Sequence, residues 1–389
     1  MGSIQEIAFS LAMKSVLKKI LPRVLRKKLF LLYNTLRIKT IDRVLFPALK
    51  ISDNAFRIKH EKNPFLELNI PIVRYASEVQ NRLKIWTDPT WTQDEYLLIW
   101  NDGGYIEPAV GWGTSANRRL IYPSLGFSRA SYVKKPGVRE YYSKKRETYL
   151  IDQVISLRDT GEENYFHFFN DILPKIFFLQ EQGIPVHQYT LVVSEHLYNK
   201  SYFRYFYNTW ANTFRWHVQK DEWIQFRCAI FCKPYTHTKK FLLKSVDVVR
   251  HAKTKTVPHR RIFLSRSRQA LRYIENEDEI FNIVAQYGFE KVDTAELPFL
   301  KQVALFSETS HLIAIHGAGL TNMLFGSEMS ILEIYHTSEY VPFHYIMLAS
   351  LLGFDHQILL GTPQDADGGF WVDPAAIVLY LQQRKILNI

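Results

Sequence analysis

Along the second half of the chain, apolar and polar positions follow two periods in turn. Short continuous apolar runs at residues 261–265 (RIFLS), 289–292, 310–315 (SHLIAI) and 330–335 (SILEIY) read as buried strands. Between them, residues 274–287 and 297–308 repeat apolar side chains every three or four positions, the signature of helices with one covered face. In the first of these Ile280, Ile283, Val284 and Tyr287 form the inward stripe, and Gly288 stands where the helix must stop. A further helix opens over 320–325. Strands alternating with short helices predict an α/β fold, a parallel sheet with helices on both faces. Ligands of such sheets sit at the carboxyl ends of the strands.

The first half is less regular. Runs of β character at 70–75, 96–100 and 147–155 are separated by turn chemistry such as Asn101-Asp102-Gly103-Gly104. Residues 162–171 lead into a predicted helix that runs to 181 and stops at Gly183, followed by a strand at 189–193, a Tyr-rich helix at 198–209 and a strand at 223–231. Cys228 and Cys232 lie four apart on one strand face and read as core thiols, since the chain has no third Cys to complete a metal site. Two cysteines in 389 residues also exclude a disulfide scaffold. Near the C-terminus, residues 374–386 predict a last helix.

Hydrophobic residues at 47% and charged residues at 22% exclude a disordered or low-complexity chain. The net charge of +11 is concentrated at one end: residues 1–50 hold eleven Lys or Arg against Glu6 and Asp42, and the remaining residues carry 38 basic and 36 acidic groups. A nearly neutral body argues against a nucleic-acid-binding fold, which spreads basic charge over a domain face. Within residues 11–38, Val16, Leu17, Ile20, Leu21, Val24, Leu25 and Leu32 fall on one stripe, and Lys14, Lys18, Arg23, Arg26 and Lys27 fall elsewhere. The longest apolar run, 29–33, is far below the roughly 20 residues of a spanning helix. Recurrent Lys and Arg exclude the apolar core of a secretory signal. The pattern predicts a basic amphipathic helix, split at Pro22, lying on an anionic membrane surface. Packing on the protein's own body or on a sister subunit would use the same pattern. Without a signal or span, the expected location is the cytoplasm, on the inner face of the membrane.

Candidate chemistry concentrates in a few segments. His316-Gly317-Ala318-Gly319-Leu320-Thr321-Asn322 follows a buried strand and opens a helix, where free backbone N–H groups favour an anion. The two glycines would let the backbone approach a diphosphate, and His316 and Asn322 would donate to it; a tight strand-to-helix turn needs the same glycines. The segment is neither the dinucleotide pattern nor the phosphate-loop pattern. Glu333, near the end of the next strand, suits ribose hydroxyls or a structural ion pair. Arg260, Arg261, Arg266, Arg268 and Arg272 crowd one connection, and one or two of them could grip phosphate oxygens, the rest being solvated.

Asn276-Glu277-Asp278-Glu279 reads as a helix capping box, not an acidic metal cluster. Asp365-Ala366-Asp367 reads as an ordinary turn, so no metal site is expected. His167 and Asp171, four apart on one helix face, could be a general base and its orienting carboxylate, or a histidine satisfied in an aromatic core. Gly126-Phe127-Ser128-Arg129-Ala130 falls one glycine short of a nucleophile elbow, and the His-Gly-Ala-Gly segment follows it where an oxyanion loop would precede it; a hydrolase reading fails.

In order along roughly residues 150–335, the segments Asn164-Tyr165-Phe166-His167 through Asp171-Ile172-Leu173-Pro174, Ser265-Arg266 through Arg272, Asn276 to Glu279, Gly288-Phe289, and His316 to Asn322 with Glu333 downstream resemble glycosyltransferase family 61. Residues 1–150 match nothing in that pattern. The resemblance implies a GT-B-like architecture, two Rossmann-like domains with parallel sheets facing across a cleft. It also implies an inverting, metal-independent transfer of a sugar from a nucleotide-sugar donor to a glycan or lipid-linked glycan, with no cofactor. Carried over, Arg266, Arg272, His316, Gly317, Gly319, Asn322 and Glu333 would serve the donor, and His167, helped by Asp171, would deprotonate the acceptor.

The corresponding domains are a membrane-surface segment at 1–50, an acceptor-side domain at 51–235, a donor domain at 236–360, and a C-terminal segment at 361–389 crossing back to the acceptor side. The product would be a cell-surface polysaccharide such as capsule, lipopolysaccharide or exopolysaccharide. The rival expectation is a non-catalytic membrane-bound scaffold retaining a degenerate nucleotide fold.

Overall fold

The computed structural model describes residue 32 and residues 42–49, 56–62, 77–83, 92–125, 135–143, 147–266, 272–337, 341–364 and 369–386. The expected N-terminal helix over 11–38 (Leu32 apart), the expected strand at 70–75, the Gly126–Ala130 segment, Arg268 and Asp365-Ala366-Asp367 lie outside these residues.

Among the described residues, three sheets organise the chain. The first contains β1 (Phe56–Lys62), β2 (Thr92–Trp100), β3 (Gly104–Ile106), β4 (Gly113–Thr114), β5 (Thr148–Ser156), β6 (Thr190–Ser194), β7 (Arg215–Gln219) and β8 (Trp223–Lys233). Its main path runs β1-β2-β8-β5-β6-β7. From β8 through β5 and β6 to β7 all pairs are parallel, whereas β2 joins β8, and β1 joins β2, antiparallel. The second sheet is wholly parallel: β9 (Arg260–Leu264), β11 (Phe289–Val292), β12 (Thr309–Ile315), β13 (Ser330–Tyr335) and β14 (Asp355–Leu360), in the order β11-β9-β12-β13-β14. A small third sheet joins β10 (Tyr273–Ile274), β16 (Gly369–Trp371) and β15 (Thr362–Pro363).

The period-2 pattern of the second sheet divides its side chains between two cores. Ile262, Leu264, Leu312, Ala314 and Ile331 pack into a cluster that also contains Ile155, Leu191, Ile230 and Phe169 from the first sheet and its helices. Phe263, Ile313, Ile315, Leu332 and Ile334 pack on the other face with Ile280 and Val284. The first cluster is therefore continuous from one sheet to the other. Helices α1 (Leu173–Glu181), α2 (Ser201–Thr209), α3 (Lys239–Val248) and α5 (Phe299–Ser307) contribute to it, and α4 (Glu277–Ala285) lies on the far face of the second sheet. Gly183 and Gly288 end α1 and α4 at φ +74 and +72, the left-handed conformation that glycine adopts without penalty.

Several expectations need correction. The segment 162–171 and the helix it leads into, expected to run to 181, are an α turn at Tyr165–His167, a π turn at Phe168–Ile172 and then α1. Ile274 belongs to β10 because its backbone pairs with Phe370, so α4 begins at Glu277, later than the expected start at 274. The helix after β12 is a 3₁₀ helix, Ala318–Phe325. Asn276 caps α4 without a reciprocal box: its amide donates to Glu279 Oε2 and to the Val372 carbonyl, and its Oδ1 accepts from Val372 N–H. Cys232 is buried as expected, but Cys228 is only partly covered.

The C-terminal helix α7 (Pro374–Gln383) does not cross back. Ile377, Tyr380 and Leu381 join the far-face cluster of the second sheet, and Arg384 pairs with Asp355 at 2.6 Å. Helix α3, placed by sequence on the donor side of the 235/236 boundary, packs on α1 through Phe241 and Phe177, with Lys244 held by Glu181 at 3.0 Å. Helix α6 (His344–Leu352) and β14 lie in a stretch that carried no sequence expectation.

Candidate functional site

In chain order the second sheet reads second, first, third, fourth, fifth strand, so the direction of winding reverses between β9 and β12. The crevice at the carboxyl ends of those two strands is where open α/β sheets take their ligands. Arg266 follows β9, and His316 and Gly317 follow β12; an Arg266 Nη1–H donates to the His316 carbonyl at 3.3 Å and so spans the switch point. Burial first, and then the nearby charge of Arg272, push the Arg266 guanidinium below its usual pKa. A second guanidinium near enough for its charge to be felt makes this a favourable position for an anion. A pocket of ≈ 480 Å³ adjoins Arg266 and is lined in part by Tyr273, Glu277, Lys291 and Asp293.

The glycines of the loop allow close approach, though not the one expected. Gly317 has extended backbone, and a Cβ there would lie 2.8 Å from Arg266 Nη1; a Cβ on Gly319 would lie 2.9 Å from Leu264 Cδ2. Both positions let the loop close onto the end of β9. Leu320 N–H already donates to the Gly317 carbonyl at 3.0 Å, so this helix N-terminus offers one donor fewer than the sequence suggested.

Asn322 is fully buried and does not offer its amide to a ligand. Its Nδ2 donates to Gln302 Oε1 at 3.0 Å and to the Gly319 carbonyl at 3.1 Å, and its Oδ1 accepts from Tyr165 O–H at 2.7 Å. Glu333 likewise stays inside. Both of its oxygens accept from imidazoles, Oε1 from His316 Nδ1 and Oε2 from His356 Nε2 at 3.0 Å. Burial would raise the pKa of this carboxyl, but the two imidazole bonds and charges outweigh it and hold the pKa at about 2. Glu333 thus orients His316 where the sequence suggested a ribose contact. The His316 ring is fixed from a further side by Tyr335, stacked at 4.9 Å with 19° between planes.

Opposite this wall stands the Tyr165–Ile172 segment. The Asn164 side chain caps its first turn, accepting from Phe166 N–H at 2.9 Å and His167 N–H at 3.4 Å. His167 Nδ1 donates to Asp171 Oδ2 at 2.7 Å, and Asp171 Oδ1 accepts from Asn170 Nδ2 at 3.0 Å. The imidazole is 33% exposed and the carboxylate 4%, so a buried acceptor holds a reachable ring. Burial acts to lower the imidazole's pKa, but the Asp171 bond and the charges of Asp171, Asp159 and Glu163 raise it on balance. Burial raises the Asp171 pKa, with His167 opposing.

The approach to this turn is rigid. Lys175 Nζ reaches Asp159 Oδ2 at 3.2 Å and the Arg158 carbonyl at 3.1 Å, and Arg158 Nε reaches Glu162 Oε1 at 2.8 Å, all buried. Gly161, at φ +81, comes so close that a Cβ would lie 3.3 Å from His167 Cδ2.

Sequence reading missed the group that joins the two walls. The start of α6 inserts between them. Phe166 contacts His167 at 5.4 Å, His344 at 4.8 Å and Tyr345 at 5.5 Å, and Tyr345 contacts His316 at 5.3 Å between ring centroids. Tyr345 is buried, and burial pushes its phenol pKa up. The available signal was position: Phe343-His344-Tyr345 follows the end of a core strand in a ligand-facing fold. Among the described residues, no group of His, Cys, Asp and Glu is gathered closely enough to hold a metal ion, and no helix is long and apolar enough to cross a membrane.

A comparison with known families falls on this same stretch. A model of the family described as Glycosyltransferase 61 matches residues 165–332. The EGF domain-specific O-linked N-acetylglucosamine transferase of Drosophila melanogaster is 38% identical over 95 residues, covering 23% of this chain and 18% of that relative. The matched residues begin at the capped turn that carries His167 and end on β13, one residue before Glu333, so it is this stretch of the chain that is similar to glycosyltransferase family 61.

Proposed function

We propose that this chain is an inverting, metal-independent glycosyltransferase of GT-B-like arrangement, moving a sugar from a nucleotide-sugar donor to a hydroxyl of a growing cell-surface glycan. The observation that carries the reading is the placement of the His167–Asp171 pair opposite the Arg266–His316 switch point. The donor diphosphate would lie against Arg266, Arg272 and His316, with the nucleoside toward the pocket beside Arg266. His167 Nε2 would take the proton of the acceptor hydroxyl while that oxygen attacks the anomeric carbon. The bond to the diphosphate breaks, and the charge developing on the leaving group meets two guanidiniums instead of a metal ion. Asp171 holds the tautomer and stabilises the imidazolium that forms.

The relative's name makes N-acetylglucosamine the first donor sugar to try. The basic segment 11–38 would keep the enzyme at the inner face of an anionic membrane, beside a lipid-linked acceptor. Thermal unfolding with UDP, GDP and CMP, each without and then with EDTA, tests the donor site. A nucleotide at 100 times its dissociation constant stabilises by about 2.7 kcal/mol, a shift of a few degrees. A shift surviving EDTA is expected, and a flat response to every nucleotide would leave the scaffold reading in its place.

A further inference from the structure

Three imidazoles meet at the seam between the two walls, and they differ in what they hold. His167 is bonded to Asp171 and His316 to Glu333, whereas His344 hydrogen-bonds no carboxylate among the described residues. Its ring lies parallel to that of His237, 5.5 Å away with 6° between planes, and against Phe166 at 4.8 Å and Phe343 at 4.5 Å. His237 is itself tied to the first wall, its backbone N–H donating to Asn170 Oδ1 at 2.9 Å beside Asp171. The ring of His344 thus stands in an aromatic frame that connects both halves.

Burial first, then the charges of His167 and His316, press the His344 pKa down to about 3. The ring is neutral at physiological pH and is no rival to His167 as base. Nδ1 is buried without a hydrogen-bond partner among the described residues. A buried bare nitrogen is a less costly orphan than a buried N–H, so the single proton belongs on Nε2. The ring as a whole is only partly covered.

We propose that His344 touches substrate in this transferase, its Nε2–H donating to an oxygen of the transferred sugar between His167 and the diphosphate site. The inference rests on the transferase reading above. A neutral donor suits a neutral hydroxyl, the guanidiniums already serve phosphate, and the Phe166 and Phe343 rings offer apolar faces to sugar C–H groups.

The test compares a nucleotide with its own sugar conjugate by calorimetry: UDP with UDP-N-acetylglucosamine and with UDP-glucose, and GDP with GDP-mannose. Wild-type protein should bind one conjugate about tenfold more tightly than the bare nucleotide. His344→Phe should lose that increment and keep nucleotide affinity within about twofold. Because the Gln amide reaches the place of Nε2, His344→Gln should keep the increment within about threefold, and His344→Asn, which is too short, should not. If the Phe variant does not fold, the Gln and Asn pair carries the same comparison. An increment intact in Phe and Asn, or absent in wild type that does bind nucleotide, overturns the contact and leaves the transferase reading standing. Wild-type protein that binds no nucleotide overturns that reading and this contact with it.

Discussion

Two histidine–carboxylate pairs of the candidate site are alike as chemistry and opposite as surroundings. His167 and Asp171 lie four residues apart on one turn, with a third of the imidazole reachable from solvent. His316 and Glu333 lie on neighbouring strand ends, 17 residues apart, with the ring stacked on Tyr335 and the carboxylate fully covered and shared with His356. A general base must exchange its proton with a substrate, which only the first pair can do. The second pair, shared between strands, holds a wall of the site in shape. In the proposed transferase, exposure, not the presence of an imidazole beside a carboxylate, separates the base from the pair that shapes the wall.

The largest effect that would break this contrast is on turnover. His167→Ala should lower kcat about 10²–10⁴-fold while nucleotide affinity stays within about twofold, measured in a single-turnover assay once the donor is known. Full turnover in that variant would remove His167 from the chemistry. Next in size is stability. Glu333→Ala leaves two buried imidazoles without their shared partner and should cost about 3–5 kcal/mol in denaturant unfolding; a loss below about 1 kcal/mol would mean the second pair holds nothing.

Smaller, and specific to the first pair, is a pH effect. The His167 pKa lies above its ordinary value, so activity should rise through a limb centred above about pH 6.5, where the base loses its proton. Asp171→Asn removes the charge and bond that raise it and should move that limb to lower pH. A limb that does not move would assign it to another group.

A last effect is on the acid limb of stability. His344, near 3 in the fold against 6.5 ordinarily, takes its proton first in the unfolded chain, so stability falls as pH drops from about 6.5 toward 3. Glu333, at about 2 against 4.5, gives stability that is complete above 4.5 and is lost as pH falls toward 2. His344→Gln should flatten the upper part of this decline and Glu333→Gln the lower, read from urea midpoints across pH.

The strands of the second sheet were legible because each is a short apolar run bounded by turn residues, and the glycines at 183 and 288 marked real helix ends. His167 and Asp171 were legible because a spacing of four on one turn is a local property. Local pattern could not reveal that Asn322 would bond Tyr165, 157 residues away, or that both Glu333 oxygens would be taken by imidazoles from two other strands. Those are tertiary choices. The π turn at Phe168–Ile172 was hidden for a related reason: its residues have ordinary helical composition, and nothing in that composition marks the wider hydrogen-bonding.

The apolar cluster that runs unbroken from Ile155 and Ile230 of the first sheet to Ile262 and Leu312 of the second bears on how the protein melts. Neither sheet has a complete interior of its own on that side, so separating them exposes the same side chains that unfolding either one would expose. Heat should therefore take both in a single calorimetric transition, with equal van't Hoff and calorimetric enthalpies, and a nucleotide bound at Arg266 should protect the amide hydrogens of β5 from exchange as fully as those of β12.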